Sequence, residues 1–363
     1  MQMAKGIKMN GVDEMGMRQA WITALHQLEV RIVPVPQPGP GDVLVQMAYA
    51  GICGSDLHTY RSGHPWLGYP IAPGHEASGV VASVGAGVSG LAVGQPVYLR
   101  PGISCGHCFY CRRERPNLCS EMIAVGSHIP GGFAEYLVLP EAGLAVVPAG
   151  VSLSDAAMIE PLATAVHAAT AAGGLAGRTV AILGGGSIGL STLLVALAEG
   201  VARVLVTDPV LSKRKLAVAL GANESLDPAD PDVADRIRQV LQGRPDVTID
   251  CVANAGSVQA AAELAVRGGT VVVLGVGHGP VQIPIDTIQD QEIRIIGSAM
   301  YAPDDFVRAE QLVNEGVAVD RLITAVYPLD ELPLAFATAL TGEQVKIHVR
   351  GAAADIPILG EKR

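Results

Sequence analysis

Four of the six cysteines fall within fifteen residues, in "CGHCFYCRRERPNLC", as Cys105, Cys108, Cys111 and Cys119. At C-x2-C-x2-C-x7-C spacing, four thiolates can converge on one tetrahedral ion: each short gap makes a tight turn and the longer loop returns the fourth sulfur. Zinc is the expected metal. Two disulfides are the alternative, but nothing at the amino terminus reads as a secretory signal, which points to a reducing compartment. An iron–sulfur cluster fits less well, because the last gap exceeds that of the bacterial ferredoxin run. Four protein thiolates leave zinc no open position, so this site is expected to hold a loop, with the chemistry elsewhere.

A second donor set is more dispersed. Cys53 lies in "GICGSDLH", with Ser55, Asp56 and His58 close by; "PGHEASG" supplies His75 and Glu76, and "IEPLATAVHA" supplies Glu160. Thiolate, imidazole and carboxylate together suit a zinc with one position left for a reactant. The remaining cysteine, Cys251 in "TIDCVANAG", reads as a small buried apolar residue at a strand end.

A third constellation reads strand, glycine turn, helix in "TVAILGGGSIGLSTLLVALAEG". Gly184, Gly186 and Gly189 fill the places of G-x-G-x-x-G, which permit the turn, the backbone's approach to a pyrophosphate, and close helix–strand packing. The helix opening at Ser187 and Ile188 directs its free amides and dipole at the phosphates. Asp208 stands nineteen positions beyond Gly189, at the end of "VLVTD". A carboxylate there accepts from a ribose diol and repels a 2′-phosphate by roughly 1–4 kcal/mol at 4 Å. NAD is therefore expected over NADP, softened by Lys213, Arg214 and Lys215 just downstream. Val252, Gly275 and Val276 are further cofactor-binding candidates.

The elements that must hold these groups follow from length and pattern. The 363 residues suffice for two domains, and 49% hydrophobic against 17% charged residues is a globular composition. No uninterrupted apolar run approaches membrane-spanning length, and a cytoplasmic protein is expected. The formal charge of −10 argues against a nucleic-acid binder, despite the local patch Arg112, Arg113 and Arg115. Residues 1 to about 16 lack a period and read as an extension. From Met17 to about Gly150, β-branched runs such as "VLVQMAYA", "SGVVASVG", "QPVYL" and "AEYLVL" alternate with Gly and Pro turns, predicting a mostly antiparallel β domain. A long alanine-rich helix is expected around "SLSDAAMIEPLATAVHAATAAGG". Apolar strand cores then follow at Thr179–Leu183, Val204–Thr207, Val247–Ile249, Val271–Leu274 and Ile293–Ile296, with helices between most of them, predicting a doubly covered parallel sheet. Beyond Gly297 come a helix, the strand-like "ITAVYPL", another helix and "VKIHVRG".

Taken in order, "GICGSDLH", "PGHEASG", the four-cysteine lobe, "GGFAEYLVLP", "IEPLATAVHA", "AILGGGSIG" and "VLVTD" make a chain that resembles the zinc-containing medium-chain dehydrogenases from Met17 to Arg350. Within them it looks most like the sorbitol (polyol) dehydrogenase branch, because "EPLATAVHA" carries a glutamate where liver-type alcohol dehydrogenases carry a second zinc cysteine. The resemblance implies an α/β fold: a GroES-like catalytic domain over 17–157, a Rossmann domain over 158–297, and a return to the catalytic domain over 298–363. It implies two zinc ions per chain. Cys53, His75 and Glu76 match ligands of the catalytic one, with Glu160 either a ligand or a holder of its water; the four-cysteine lobe matches the structural one. Ser55 and His58 match a proton relay, Lys213 an adenine-ribose contact, and Lys346 a contact to the diphosphate.

The activity implied is NAD-dependent oxidation of a secondary alcohol in a polyol, cyclitol or sugar-derived substrate. Oxidation of threonine or a small diol is the alternative enzyme reading, and a catalytically silent binding protein the alternative outside enzymes. Met300 stands where animal sorbitol dehydrogenases carry an arginine before the cleft tyrosine, here Tyr301, which removes a multi-donor anchor for sorbitol itself. Tyr60, Arg61 and Trp66 are candidate substrate contacts. A homodimer or homotetramer is expected, pairing through "IRIIGSAM" or "VQIPI".

Overall fold

A computed structural model describes residues 16–277 and 279–356; the extension expected over residues 1 to about 16 lies outside this range except for Gly16, which opens the first strand. Two sheets organise the chain. The first is a six-stranded parallel sheet in the spatial order Glu224–Leu226, Arg203–Thr207, Thr179–Leu183, Val247–Asp250, Thr270–Val273 and Arg294–Gly297. Its central strands are buried on both faces, which explains their near-continuous apolar runs. Five of the six strands appear at the expected places. The sixth, Glu224–Leu226, carries no apolar run long enough to register; it is three residues at an edge, with only Leu226 buried.

The order reverses between Thr179–Leu183 and Val247–Asp250, one strand running on from each side. In such sheets the crevice at the carboxyl ends of the strands beside the reversal takes the ligand. Gly184 follows one of these strands and Val252 the other, and a side chain on Gly184 would meet Val252 Cγ2 at 2.9 Å.

The second sheet has seven strands. Its path runs Ile323–Pro328, Lys346–Arg350, Asp42–Gly51, Glu76–Val84, Pro96–Leu99 and Leu144–Val146, and Tyr136–Pro140 also pairs with Asp42–Gly51. Pairing is antiparallel except between the first two, so Ile323–Pro328 and Lys346–Arg350 rejoin the sheet begun near the amino terminus. The hairpin Gly16–Ala24 and Gln27–Pro34 lies alongside. The expected single alanine-rich helix is two: Leu153–Ala156, capped by Ser152 Oγ, and Ile159–Ala171. One apolar core contains residues of both units, Val80 and Tyr98 from the β unit together with Leu162, Val180 and Leu190. The crevice between the units is therefore set by packed surfaces.

Candidate active site

Strand register assembles the dispersed donors. Gly51 pairs with Glu76 across the antiparallel ladder and with His348 on the other side. This places Glu76 opposite the chain end that leads two residues later to Cys53, the N-cap of helix Gly54–Ser62. A side chain at Gly51 would overlap the Glu76 carboxylate, so glycine here makes room for it. The ligand atoms of Cys53, His75 and Glu76 lie within 4.8 Å of one another.

Asp56 completes the frame. Its Oδ2 accepts from the Cys53 amide at 2.9 Å, and its Oδ1 faces His75 Nδ1 at 3.7 Å, leaving the other ring nitrogen for the thiolate side. Burial raises the Asp56 carboxyl above its ordinary range. Burial lowers His75, but Asp56 and then Cys53 outweigh it and hold the imidazole well above its usual value. The spacing Cys-x2-Asp was on view in the sequence, yet nothing local showed that its carboxylate serves two ligands.

Glu76 and Lys346 are each 1% exposed and form a buried ion pair through Glu76 Oε2. Lys346 Nζ also donates to Ile52 O at 3.1 Å. Burial raises the Glu76 carboxyl, but Lys346 and His75 more than reverse this and hold it below the ordinary range. Lys346, expected at the diphosphate, lines the cofactor crevice and pairs its ammonium with Glu76, where an unpaired buried carboxylate would be costly. Glu76 Oε1 remains buried without a partner. An orphaned carboxylate oxygen beside a thiolate and an imidazole fits a zinc ion bound there.

Glu160, in the first turn of Ile159–Ala171, does not join the three-donor set. It is buried beside it, its carboxyl pushed up to about 7 chiefly by desolvation, and the Tyr301 hydroxyl stands against it as a hydrogen-bond donor. Ser55 and His58 are half-buried on the helix that Cys53 caps. Two proposed substrate contacts sit elsewhere. The Tyr60 hydroxyl donates to His26 O at 3.1 Å while its ring packs edge-on to Phe336, and Trp66 is 86% exposed. Arg61 is exposed at the end of the same helix.

A cavity of about 250 Å³ joins the metal set to the glycine turn, lined by Cys53, Glu76, Gly186, Ser187, Lys213 and Lys346 among others. Each glycine has its own reason. Gly184 takes φ +100°, Gly186 faces open space where a ligand backbone could approach, and a side chain on Gly189 would collide with the Gly184 carbonyl. Ser187 Oγ, next to Ile188 at the helix start, is buried with no partner. Asp208 Oδ2 accepts from Gly185 N and Oδ1 from Val210 N, each at 2.8 Å, which leaves acceptor capacity on both oxygens. Arg214 is turned away onto Asp208 O, Pro209 O and Asp227. Gly275 lies against the backbone of Cys251 and Val252, while Val276 is exposed beyond it. An unpartnered hydroxyl and an open glycine cradle at a helix start suit a dinucleotide.

In the lobe, Sγ–Sγ separations are 3.5 Å for Cys108–Cys111, 3.9 Å for Cys108–Cys119 and 4.0 Å for Cys105–Cys111. Four sulfurs on one tetrahedral zinc at 2.3 Å stand about 3.8 Å apart, whereas a disulfide needs about 2.05 Å. All six cysteines are free. The amides of Cys105, Cys108 and Glu121 point at lobe sulfurs at 3.3–3.4 Å, as thiolate ligands require. No helix among the described residues is long and apolar enough to cross a membrane.

Residues 39–149 match the family described as "Alcohol dehydrogenase GroES-like domain", and residues 187–315 match "Zinc-binding dehydrogenase". The chain is 34% identical over 343 residues to a probable D-xylulose reductase A of Aspergillus fumigatus, covering 91% of this chain and 95% of that one. It is 33% identical over 301 residues to L-galactonate-5-dehydrogenase of Escherichia coli, covering 82% and 88%. A putative zinc-binding dehydrogenase from Sinorhizobium meliloti, solved with NADP, superposes with a TM-score of 0.88 at 35% identity, covering 93% of this chain and 100% of that one. Identity at this level over nine-tenths of the chain, with both family models matched, means that the chain belongs to the zinc-binding medium-chain dehydrogenases, in their sorbitol (polyol) dehydrogenase-like branch.

Proposed function

We propose that the protein oxidises a secondary alcohol of a polyol or sugar-derived substrate to a ketone, with NAD preferred as hydride acceptor. The observation that carries this reading is the cavity that brings Cys53 and Glu76 to the glycine turn at Gly186 and Ser187. The names of the relatives, a xylulose reductase and a galactonate dehydrogenase, support the substrate class. Bound zinc supplies Lewis acidity that makes an alcohol proton easier to remove, and the nicotinamide supplies the hydride acceptor.

The chain's own residues do the rest. Cys53, His75 and Glu76 hold the metal, with Asp56 orienting two of them and Lys346 balancing the third. Glu160 and Tyr301 form a buried acid–hydroxyl pair at the reacting side. Ser55 accepts the alcohol proton and His58 passes it toward solvent. Asp208, with Arg214 turned away, leaves a 2′-phosphate facing a carboxylate and no free guanidinium.

We further infer a homo-oligomer. Arg294–Gly297 ends its sheet with one edge unpaired among the described residues, and the nearby Ile283, Ile285 and Val276 are exposed. A second copy would cover that edge.

The test is NAD reduction by zinc-replete protein against polyols, sugar acids, cyclitols, butanediol and threonine, with Cys53→Ser alongside. Turnover on a polyol or sugar acid that falls at least about 10³-fold in the variant is expected, since the metal's contribution amounts to several kcal/mol. Turnover confined to threonine or butanediol, or equal in the variant, would overturn the reading.

A further inference from the structure

Asn117 lies two residues before the last lobe cysteine, in the turn Pro116–Leu118. Its amide group reaches out of the lobe in two directions. Nδ2 donates to Ala299 O at 3.2 Å and stands 3.3 Å from His167 Nε2. The opposite edge of that ring is 2.7 Å from Asp305, through Nδ1 and Oδ2. A carboxylate only accepts, so Nδ1 carries the ring hydrogen and Nε2 is left to accept from Asn117. Asp305 also accepts from Ala302 N at 2.6 Å and from Thr170 Oγ1 at 3.4 Å.

Both amide hydrogens of Asn117 are thereby used on either side of one short segment. One holds the backbone at Ala299 directly; the other holds it at Ala302 through His167 and Asp305. Between these anchors Met300 has φ +55°, a conformation that a residue with a long side chain keeps only when its surroundings impose it. The next residue is Tyr301, whose ring packs on Phe306 at 4.6 Å and whose hydroxyl faces Glu160.

We propose that Asn117 is a positioning residue that couples the four-cysteine lobe to the reacting centre, by fixing the Ala299–Ala302 segment that presents Tyr301 to Glu160. The lobe then has a task beyond holding its own loop: it is the rigid base from which Asn117 works. The catalytic consequence rests on the dehydrogenase reading above; the structural coupling does not.

Asn117→Asp tests it, since the change keeps the shape and replaces two donors with acceptors. On metal-replete protein, amide exchange of residues 299–304 is expected to accelerate while residues 105–119 stay protected and zinc content is unchanged. kcat is expected to fall roughly ten- to a hundred-fold with little change in KM, the scale of an ångström-sized misplacement. In a Tyr301→Phe background the same change is expected to cost less than about two-fold, because the two residues act in series. Multiplicative losses in that cycle, or unchanged exchange at 299–304, would overturn the proposal. Should Asn117→Asp fail to fold, His167→Gln breaks the same connection from its other end, with the same expected exchange signature. Wild-type protein inactive on every alcohol would count against the dehydrogenase reading, and the exchange experiment would still decide the coupling.

Discussion

His348 shows how much a single buried ring can contribute to pH sensitivity. It is fully buried between Tyr49 and the Lys346–Glu76 pair, with Nδ1 3.3 Å from Ser154 Oγ and Nε2 unpartnered. Burial first, and the Lys346 charge second, hold its pKa down to about 3. The unfolded chain takes up that proton near pH 6.5 and the native one only near pH 3, so stability is lost as pH falls through this window, by up to about 1.4 kcal/mol per pH unit. His348→Gln is expected to be less stable at pH 7 but to lose less between pH 6.5 and 4.5; parallel urea midpoints across that range would disprove it. At the cofactor, Asp208→Ser removes the carboxylate that opposes a 2′-phosphate. The NAD preference in kcat/KM is expected to narrow by about ten-fold, the scale of a like-charge term partly screened by solvent, and an unchanged ratio of NAD to NADP kinetics would remove Asp208 from that role. Asp208 could be named from sequence, whereas the pairing of Lys346 with Glu76 could not, because that neighbour is 270 residues away in the chain.

Among the elements, the strand–turn–helix around Gly184 could be read directly, because each glycine answers a local need. A methyl group at Gly189 would overlap the Gly184 carbonyl, forcing helix Ser187–Ala198 away from its strand. Gly189→Ala is therefore expected to destabilise the fold by about 1–3 kcal/mol and to weaken NADH binding, measured by urea unfolding and fluorescence titration. Wild-type midpoints and affinity would show that the helix can shift freely. The strand Glu224–Leu226 escaped notice for a reason of the same kind: a three-residue edge strand needs only backbone partners on one side, so it requires no hydrophobic signature. The helix break after Ala156 does have a local signal: Pro161 has no N–H to give the Ala157 carbonyl, so it is accommodated in the first turn of a new helix, Ile159–Ala171.

At the scale of the molecule, the parallel sheet ends in Arg294–Gly297, with half-buried Ile295 and Ile296 on an edge left unpaired among the described residues. Under the proposed pairing of two copies along this edge, Ile295→Lys is expected to lower the mass seen in light scattering while the fold is kept; an unchanged mass would overturn that pairing. Chain order alone determined that this is a two-part α/β protein with a four-thiolate lobe, a glycine-turn nucleotide site and a cysteine–histidine–glutamate set. Each of those signals is carried by residue types and short spacings, which follow from ligand chemistry and local turn geometry. Only the tertiary structure shows that Glu76 stands within reach of Cys53 and His75, that Lys346 pairs with it, and that Asn117 of the lobe reaches the segment presenting Tyr301. Those outcomes depend on strand register and on side chains meeting across more than a hundred residues, and the physical forces that select them act only once the two sheets have packed.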